Sequence, residues 1–593
     1  MSVTDSRGGM RLDPITFEVL RHSFVTIVDE MGLKLFRASF SPPVNQGRDY
    51  SIAIFDPEGQ LVTAGRWDMP IHYGTFRFTI GEIVRVLGRE NVHEGDIVLF
   101  NDPYAGGTHN QDVRAVRPIF HEGELIAWLV AMAHWPDVGG PVPGTFNPQA
   151  QDAFGEGIRI TPVKIYERGV RQDAVIELIM ANLRVPDERR GDLHAQVQTL
   201  YSGEQRVLQL VEKHGVATIH DAFADCWDYA ERMLLAQTSQ LPNGTYEWAD
   251  QIDQDTVHPD RPPVHVRLRL TIQDGRLSFD FTDSDPSPMG PVGSGLPATW
   301  SGVLLSVLNL FPGVPMNAGV QRLVDVRTRA GTVVHVEHPT PVSGMAAGCL
   351  EKVISCTVGA VGLADPSRRT GCMFNLINLT MGGWDERLRR EYVMYLWTPG
   401  GFGGSPFGEL PLPSMMIYGP GVRLQPAEVL ERFYPILVEE FALWPGSAGA
   451  GQVPGGWGTI GVFRLTHGNA RVGIMADRKD FPIWGVDGGL PGAPQDLLIE
   501  AGTERERVIG MFAANVPLAA GEAMHLYTGG GGGYGDPLER DPELVLFDVS
   551  EELLTVEQAR ELYGVVIDPV DPYLFHYELD AAATEAERAA RHG

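Results

Sequence analysis

The sequence is poor in cysteine and lacks the cysteine pairs that bind zinc or carry out redox chemistry. Its 593 residues include four cysteines and no C-x-x-C motif: Cys226, Cys349, Cys356 and Cys372. Zinc knuckles and dithiol redox centres require such pairs, so neither class of site is indicated. We expect these isolated cysteines to be small buried hydrophobic residues.

Long hydrophobic runs and an excess of positive charge are also missing. No uninterrupted apolar stretch approaches about 18 residues, so no transmembrane helix or membrane association is expected. Residues 1–14 have no apolar signal-peptide core, which makes a cytoplasmic location the default expectation. The net charge of −29 repels phosphate backbones, so we do not expect nucleic acid as a partner.

The chain has 69 glycines but no convincing nucleotide-binding loop. Residues 529–533 are five glycines without the Lys-Ser/Thr pair of a phosphate loop. Residues 456–461 match G-x-G-x-x-G, but they continue into a strand-like segment rather than a helix. We interpret both segments, and residues 399–404, as turns or close backbone approaches. No G-x-S-x-G elbow occurs, so a serine hydrolase has no support.

The most informative segment is residues 101–137, whose pattern predicts a β-hairpin. Residues 112–120 and 125–133 are β-rich and apolar, and residues 121–124 (HEGE) have the composition of a turn. Folding the segment about Gly123 places Asp112 opposite His134, because each lies 11 residues from that glycine. Opposed residues project from the same face of a sheet, with Cβ atoms ~5 Å apart.

This hairpin would gather a set of metal ligands. His109 lies just before the first strand and can reach the same end as Asp112 and His134. Two imidazoles and a carboxylate commonly bind a catalytic divalent metal. The alternative is that they are polar strand-end residues satisfied by hydrogen bonds, but three ligands placed together by one hairpin favour a metal. Asp49 is a candidate fourth ligand, although its pattern alone fits a turn aspartate.

His72, in the segment MPIHYG, is a candidate general base or a group that hydrogen-bonds a substrate. A lone histidine is more often structural, so the sequence leaves both interpretations open.

The remaining pattern predicts an α+β, multi-domain fold. We expect a β-rich N-terminal metal-binding part, a mixed α/β remainder and a helical C-terminal tail. Asp13-Pro14 has the signature of a helix start. Other predicted elements are strands at 51–56, 61–63, 96–100 and within 265–282, helices within 195–240 and 300–310, and helical structure from 551 onward.

Several ordered blocks resemble the hydantoinase B / oxoprolinase family. They include NDPYAGGTHNQD, AHWPDVGG, FDFTDSDPSPMGPV, GSAGAGQVPGGWG and GGGGGYGDPLERDP. The resemblance extends from about Leu12 to about Asp541 and implies three parts. Residues 1–12 would form a disordered arm, 13–541 the catalytic region with the metal site within 45–160, and 542–593 the helical tail.

The resemblance implies an activity that composition does not show. Members are similar to the metal-bearing subunits of ATP-dependent enzymes that hydrolyse the C–N bond of cyclic amides such as hydantoins, 5-oxoproline or lactams. Related proteins are subunits of ATP-dependent ketone carboxylases of the acetone or acetophenone type, which remain the alternative. A hydantoinase A-like partner subunit with an actin-like ATPase fold would hold ATP and Mg, in an A2B2 heterotetramer.

Carried over to this sequence, the family's metal ligands fall on His109, Asp112 and His134, with Asp49 as an addition, and zinc or manganese as the ion. Asp137 would orient a ligating imidazole and His72 would position the substrate. The same ligand types also form the facial triad of non-haem iron oxygenases, and a closed four-ligand shell would be structural. Many family members have Leu-Pro where this chain has Asn110-Gln111, a difference that bears on substrate identity.

Overall fold

The computed structural model describes residues 9–408 and 422–592. These residues form helices and several β-sheets in separate packed units, so the predicted α+β, multi-domain fold is confirmed. The predicted disordered arm lies outside the described residues up to position 8. Further along it, the backbone N–H groups of Arg11 and Leu12 donate to the Asp225 carboxylate.

The N-terminal sheet has seven antiparallel strands in the order β2-β1-β5-β4-β3-β6-β7. It contains the predicted strands near 51, 61 and 96 and both strands of the predicted hairpin. The strands are β1 (Tyr50–Phe55), β2 (Leu61–Ala64), β3 (Ile97–Phe100), β4 (Asp112–His121), β5 (Glu124–His134), β6 (Val163–Glu167) and β7 (Val170–Arg171).

The hairpin of β4 and β5 has the predicted pairing, and a bulge makes that pairing possible. Its turn consists of Glu122 and Gly123, both with positive φ (50° and 83°), as two-residue hairpin turns require. A turn centred between these residues would leave the pairing one residue out of step. One extra residue in β5, Ile126, forms a bulge that shifts the register by one position. Asp112 therefore pairs with His134, as predicted.

Helices cover both faces of the N-terminal sheet. Asp13 caps the first helix by accepting hydrogen bonds from the backbone of Ile15 and Thr16, which confirms the predicted start. The helices of this part are α1 (Pro14–Ala38), α2 (Pro42–Asn45), α3 (Tyr73–Leu87), α4 (Asp173–Met180), α5 (Pro186–His214) and α6 (Val216–Thr238). One face packs on α1, α5 and α6, and the other packs on α3.

A second sheet follows, in the order β11-β10-β9-β8. Its strands are β8 (Gly244–Ile252), β9 (Val264–Gln273), β10 (Arg276–Asp280) and β11 (Val324–Arg327). Helices α7 (Leu296–Leu310), α8 (Ala318–Gln321) and α9 (Cys349–Ala364) accompany it. The predicted strands within 265–282 and the buried helix near 300–310 are confirmed.

Two further sheets make up the next part of the chain. Their orders are β13-β12-β16-β19 and β14-β15-β20-β17-β18. The strands are β12 (Asn378–Asp385), β13 (Arg390–Leu396), β14 (Ile436–Trp444), β15 (Gly458–Leu465), β16 (Asn469–Met475), β17 (Asp496–Ile499), β18 (Arg507–Val508), β19 (Phe512–Ala519) and β20 (Ala523–Tyr527), with helix α10 (Ala427–Phe433) beside them.

Residues 529–533 form the centre of a glycine cluster, in which neighbouring chain segments approach backbone to backbone. The N–H groups of Gly531 and Gly532 donate to the carbonyls of Gly456 (2.9 Å) and Cys372 (2.8 Å). A Cβ added to Gly531 would overlap the Phe402 carbonyl. The predicted close backbone approach is therefore found here, and residues 456–461 run into strand β15 as expected.

The C-terminal tail contains α11 (Pro542–Ser550), α12 (Val556–Tyr563) and α13 (Ala581–His592). Between the last two lies a hairpin that the sequence interpretation did not include, with β21 (Ile567–Asp571) and β22 (His576–Leu579). Tyr577 and Leu579, two residues apart, pack on the apolar core of the tail, which is the period expected of a strand. No helix in the described ranges is both long and apolar enough to cross a membrane.

Candidate metal centre

The predicted ligands form a row across three neighbouring strands of the N-terminal sheet. Asp112 begins β4, His134 ends β5, and Asp49 directly precedes β1. Asp112 pairs with His134, whose N–H donates to the Asp49 carbonyl (3.1 Å). His109 lies on the loop before β4, and its carbonyl accepts from the Asp112 N–H (3.2 Å).

The side chains of this row converge. His134 Nδ1 lies 3.2 Å from Asp112 Oδ1 and 3.7 Å from Asp49 Oδ2. His109 Nδ1 lies 3.6 Å from Asp112 Oδ2. One ligand atom each from His109, Asp112 and His134 fall within 4.8 Å of one another, and all three residues are buried.

His72 belongs to the same cluster. Its Nε2 lies 3.3 Å from Asp112 Oδ2, and His72, Asp49 and Asp112 form a second convergent group. The Ser51 hydroxyl donates to the Met69 carbonyl (3.0 Å) and lies 2.8 Å from His72 Nδ1. Because that hydroxyl has one proton, His72 Nδ1–H is the donor to Ser51, and the Nε2 lone pair faces the cluster. We call these five residues the candidate metal centre.

The donor atoms of the candidate metal centre fit a divalent cation. Asp49 Oδ1, His109 Nδ1 and His134 Nε2 are buried and have no hydrogen-bond partner. Buried polar atoms are almost always hydrogen-bonded, so three orphaned atoms in one cluster indicate a missing ligand. Imidazole nitrogens and carboxylate oxygens are the donors that zinc and manganese accept.

The electrostatics of the cluster also favour a cation. Burial lowers the pKa of His109 to about 4, so this imidazole is neutral at neutral pH. Burial raises the pKa of Asp49 to about 6. Burial also disfavours the ionised form of Asp112, but the surrounding histidines outweigh it and hold its pKa well below the ordinary value. Two carboxylates are then ionised at neutral pH, which balances a divalent ion.

An aromatic wall closes the centre. The His134 ring stacks on Tyr395 (4.7 Å between centroids), and the His109 ring meets Phe146 edge-on (5.7 Å). Tyr395 lies on β13 of a different sheet, and its hydroxyl donates to Asn378 Oδ1 (2.8 Å). Neither Phe146 nor Tyr395 could be recognised from the sequence, because isolated aromatic residues are usually core residues.

Asp137 makes its contacts with its own loop and with Arg184 rather than with His109 or His134. Its carboxylate accepts from the N–H groups of Gly139 (3.0 Å) and Gly144 (2.9 Å) and pairs with Arg184 (2.8 Å). The chain turns away from the sheet after His134, which carries Asp137 into this loop. These contacts give the carboxylate a role in shaping the loop, and they do not support the predicted role of orienting an imidazole.

Asn110 and Gln111, the positions that depart from the family pattern, are both buried. Asn110 donates to the Glu156 carbonyl (3.0 Å) and Gln111 to the Gly144 carbonyl (3.4 Å). Both side chains therefore fix the loops around the candidate metal centre.

Fold and site together define a multi-domain α+β protein with a buried cluster of histidines and aspartates at one end of an antiparallel sheet. The chain belongs to the hydantoinase B/oxoprolinase family, whose sequence model matches residues 13–537.

Among its relatives, the caprolactamase subunit beta of Pseudomonas jessenii is 32% identical and is matched over 98% of this chain and 99% of its own length. The 5-oxoprolinase 1 of Arabidopsis thaliana is 28% identical over 88% of this chain, which spans only 42% of that protein.

Two solved structures share the fold. The crystal structure of ATP-dependent caprolactamase from Pseudomonas jessenii superposes with a TM-score of 0.91 at 29% identity, over 98% of this chain and all of the matched one. A nucleotide-free structure of acetone carboxylase gives a TM-score of 0.90 over 99% of this chain and 84% of its own, at 19% identity. That second likeness concerns the fold alone.

Proposed function

We propose that this chain is the metal-dependent subunit of a two-component, ATP-dependent hydrolase of cyclic amides such as lactams, hydantoins or 5-oxoproline. Asp49, His109, Asp112 and His134 would hold zinc or manganese. The main support is the convergence of buried ligand atoms from His109, Asp112 and His134, beside buried polar atoms of the same cluster that have no hydrogen-bond partner. The near full-length match to a caprolactamase subunit adds to it.

The chemistry explains why ATP is needed. A ring amide is stabilised by resonance and is a poor electrophile. Transfer of the terminal phosphoryl group of ATP to the carbonyl oxygen gives an imidate phosphate and ADP. Addition of water at that carbon and cleavage of the C–N bond give a free amine and an acyl phosphate, and a second water molecule hydrolyses the acyl phosphate to the open carboxylate and inorganic phosphate. A cation held by Asp49, His109, Asp112 and His134 would supply Lewis acidity, which lowers the pKa of a water molecule to near 7.

The chain's own residues would divide the remaining work. The His72 Nε2 lone pair faces the cluster, and we assign it the role of accepting a proton from the attacking water. Phe146 and Tyr395 would exclude bulk water and pack against the apolar part of the ring. Excluding water strengthens the electrostatic interactions within the site.

ATP and Mg would bind in a partner subunit of actin-like ATPase fold, in an A2B2 assembly. The relative that covers this chain almost completely is named as a beta subunit. The single-chain 5-oxoprolinase 1 is more than twice as long as the part that this chain matches. Both facts fit a second component that lies outside this chain.

A ketone carboxylase is the second candidate, and the acetone carboxylase structure shows that such an enzyme shares this fold. In that reaction ATP would activate a ketone and bicarbonate, and the product would be a β-keto acid. Bicarbonate dependence separates the two reactions.

To test the proposal, the chain is co-purified with its ATPase-like partner and loaded with zinc or manganese. ATP hydrolysis is then measured with ε-caprolactam, hydantoin, 5-oxoproline, and acetone plus bicarbonate. We expect a cyclic amide to stimulate ATP hydrolysis and to be opened without bicarbonate. Strict dependence on bicarbonate would contradict the hydrolase.

The matched variants are His134→Ala and His220→Ala. His220 lies on α6 and hydrogen-bonds the Ile126 carbonyl, away from the candidate metal centre. We expect His134→Ala to lose bound metal and nearly all activity, while His220→Ala keeps both. Full metal content and activity in His134→Ala would rule out the proposed site.

A further inference from the structure

We propose that Arg114 binds an anionic oxygen group, of phosphoryl type, beside the cation of the candidate metal centre. The inference rests on the proposed function and assigns a role to a residue that no sequence motif singled out. Its ligand would be the phosphoryl group that the ATP-dependent step places on the substrate.

Arg114 lies next to the row of predicted metal ligands, on the same strand as Asp112. It follows Asp112 by two positions on β4, so both side chains project from the same face of the sheet. Its Nη2 donates to Thr75 Oγ1 (2.6 Å), and the Thr75 hydroxyl donates to the His72 carbonyl (2.6 Å). Arg114 is therefore attached to the turn that carries His72.

Arg114 is a buried cation that makes no direct ion pair in residues 9–408 and 422–592, although the charge of the Asp112 carboxylate acts on it at longer range. Three other arginines with fully buried side chains each have a carboxylate partner. These pairs are Arg189 with Asp192 (3.1 Å), Arg478 with Asp250 (2.5 Å) and Arg540 with Asp548 (2.9 Å). No ion pair involves Arg114, and its Nε and Nη1 have no hydrogen-bond partner. Burial of an unpaired charge is strongly unfavourable, so its retention indicates a ligand.

The charge balance gives the sign of that ligand. The carboxylates of Asp49 and Asp112 offset the two charges of a divalent cation, and metal-bound imidazoles are neutral. The charge of Arg114 then remains, and an anion must balance it. A guanidinium group binds phosphoryl oxygens through two parallel N–H groups.

The spacing suits one shared ligand. Residues two positions apart in a strand are separated by about 7 Å. A phosphoryl group with one oxygen near the cation and another on the guanidinium can span that separation. The carboxylate of a substrate such as 5-oxoproline has the same hydrogen-bonding chemistry, so the experiment must distinguish the two sources.

The full chain, loaded with Mn²⁺, is titrated with inorganic phosphate, and the paramagnetic relaxation of the ³¹P signal is measured. We compare Arg114→Met with Arg117→Met. Arg117 lies on the same strand but faces α5, where it pairs with Glu204 (2.8 Å). We expect Arg114→Met to weaken phosphate binding at least tenfold while it retains Mn²⁺. We expect Arg117→Met to bind phosphate and Mn²⁺ as the parent protein does.

Two results would overturn the inference. One is unchanged phosphate affinity in Arg114→Met. The other is an equal loss of Mn²⁺ in that variant, which would make Arg114 a structural residue. Thr75→Val removes the hydrogen-bond partner but leaves the cation, so we expect it to keep phosphate binding. Arg114→Lys should restore part of the affinity lost in Arg114→Met.

Competition with 5-oxoproline identifies the source of the anion. If 5-oxoproline displaces phosphate only weakly, the result supports the phosphoryl group. If 5-oxoproline displaces phosphate at a concentration below that of phosphate, Arg114 binds a substrate carboxylate and the phosphoryl assignment is overturned. Phosphate binding by the Mn²⁺-loaded chain does not depend on turnover. A loss of phosphate binding therefore tests the role of Arg114, whereas a failure of ATP-dependent hydrolysis tests the proposed function.

Discussion

At the residue scale, single buried carboxylates are held in environments that change their acidity. Asp68 illustrates this outside the candidate metal centre. One of its oxygens accepts from the N–H groups of Ile52 (2.6 Å) and Gly65 (3.0 Å). Burial nevertheless raises the pKa of Asp68 to about 8, so the folded protein holds this proton at neutral pH.

The acidity of Asp68 predicts a pH dependence of stability. The pKa of Asp68 is near 4 in the unfolded chain and about 8 in the folded protein. Between these two pH values the folded state binds more protons than the unfolded state. Stability due to Asp68 is therefore full below pH 4 and is lost as pH rises toward 8, by roughly 1.4 kcal/mol for each unit of pKa difference. Asp68→Asn keeps one oxygen acceptor and cannot ionise.

We expect Asp68→Asn to lose less stability than the parent protein between pH 5 and pH 8. Urea unfolding at each pH measures the difference. Parallel curves for the two proteins would contradict the assigned acidity.

At the scale of elements, the glycine cluster joins distant chain segments through contacts between their backbones. Gly449 donates to the Gly531 carbonyl (2.8 Å), and Gly531 donates to Gly456 (2.9 Å). A Cβ added to Gly449 would overlap the Leu490 carbonyl, and one added to Gly531 the Phe402 carbonyl, so the cluster depends on glycine at these two positions.

Gly531→Ala should therefore be strongly destabilising, because the added methyl group overlaps the Phe402 carbonyl. The control is Gly81→Ala on helix α3, where nothing lies within 4 Å of the added Cβ. We expect the control to be neutral or stabilising by up to about 1 kcal/mol. Differential scanning calorimetry of both variants decides the matter, and equal melting temperatures would refute the steric argument.

At the scale of the whole molecule, buried ion pairs connect the second sheet to the sheet that carries Tyr395. Arg478 follows β16 and makes a two-pronged contact with Asp250 of β8 (2.9 and 2.5 Å). Lys352 of α9 pairs with Asp477 (2.6 Å). These contacts fix the position of the aromatic wall relative to the rest of the chain.

Asp250→Ala leaves Arg478 as an uncompensated buried charge, and we expect a loss of about 3–5 kcal/mol. Glu247→Ala is the control, since Glu247 lies on the same strand and forms an exposed pair with Arg269 (3.0 Å). Exposed pairs contribute little, so the control should unfold at nearly the parent denaturant concentration. A loss in Asp250→Ala no larger than in the control would contradict this role.

The sequence predicted those parts of the site that depend on local pattern. Asp112 and His134 could be paired because the turn and the strand alternation lie within one short segment. Arg114 and Tyr395 could not be recognised, since a missing counterion and a stacking partner exist only after distant segments pack. The hairpin of the tail was missed because Ala, Glu and Arg dominate the surrounding composition and favour helix.

Tyr395 is synthesised long after the residues that it covers. The hairpin with Asp112 and His134, and the loop with His109, leave the ribosome roughly 260 residues before Tyr395, an interval of tens of seconds at usual translation rates. During that interval the ligand row is exposed to the ions of its surroundings. Under the proposed function, selection of the metal would therefore begin on the nascent chain, and the later arrival of Tyr395 would cover the bound ion.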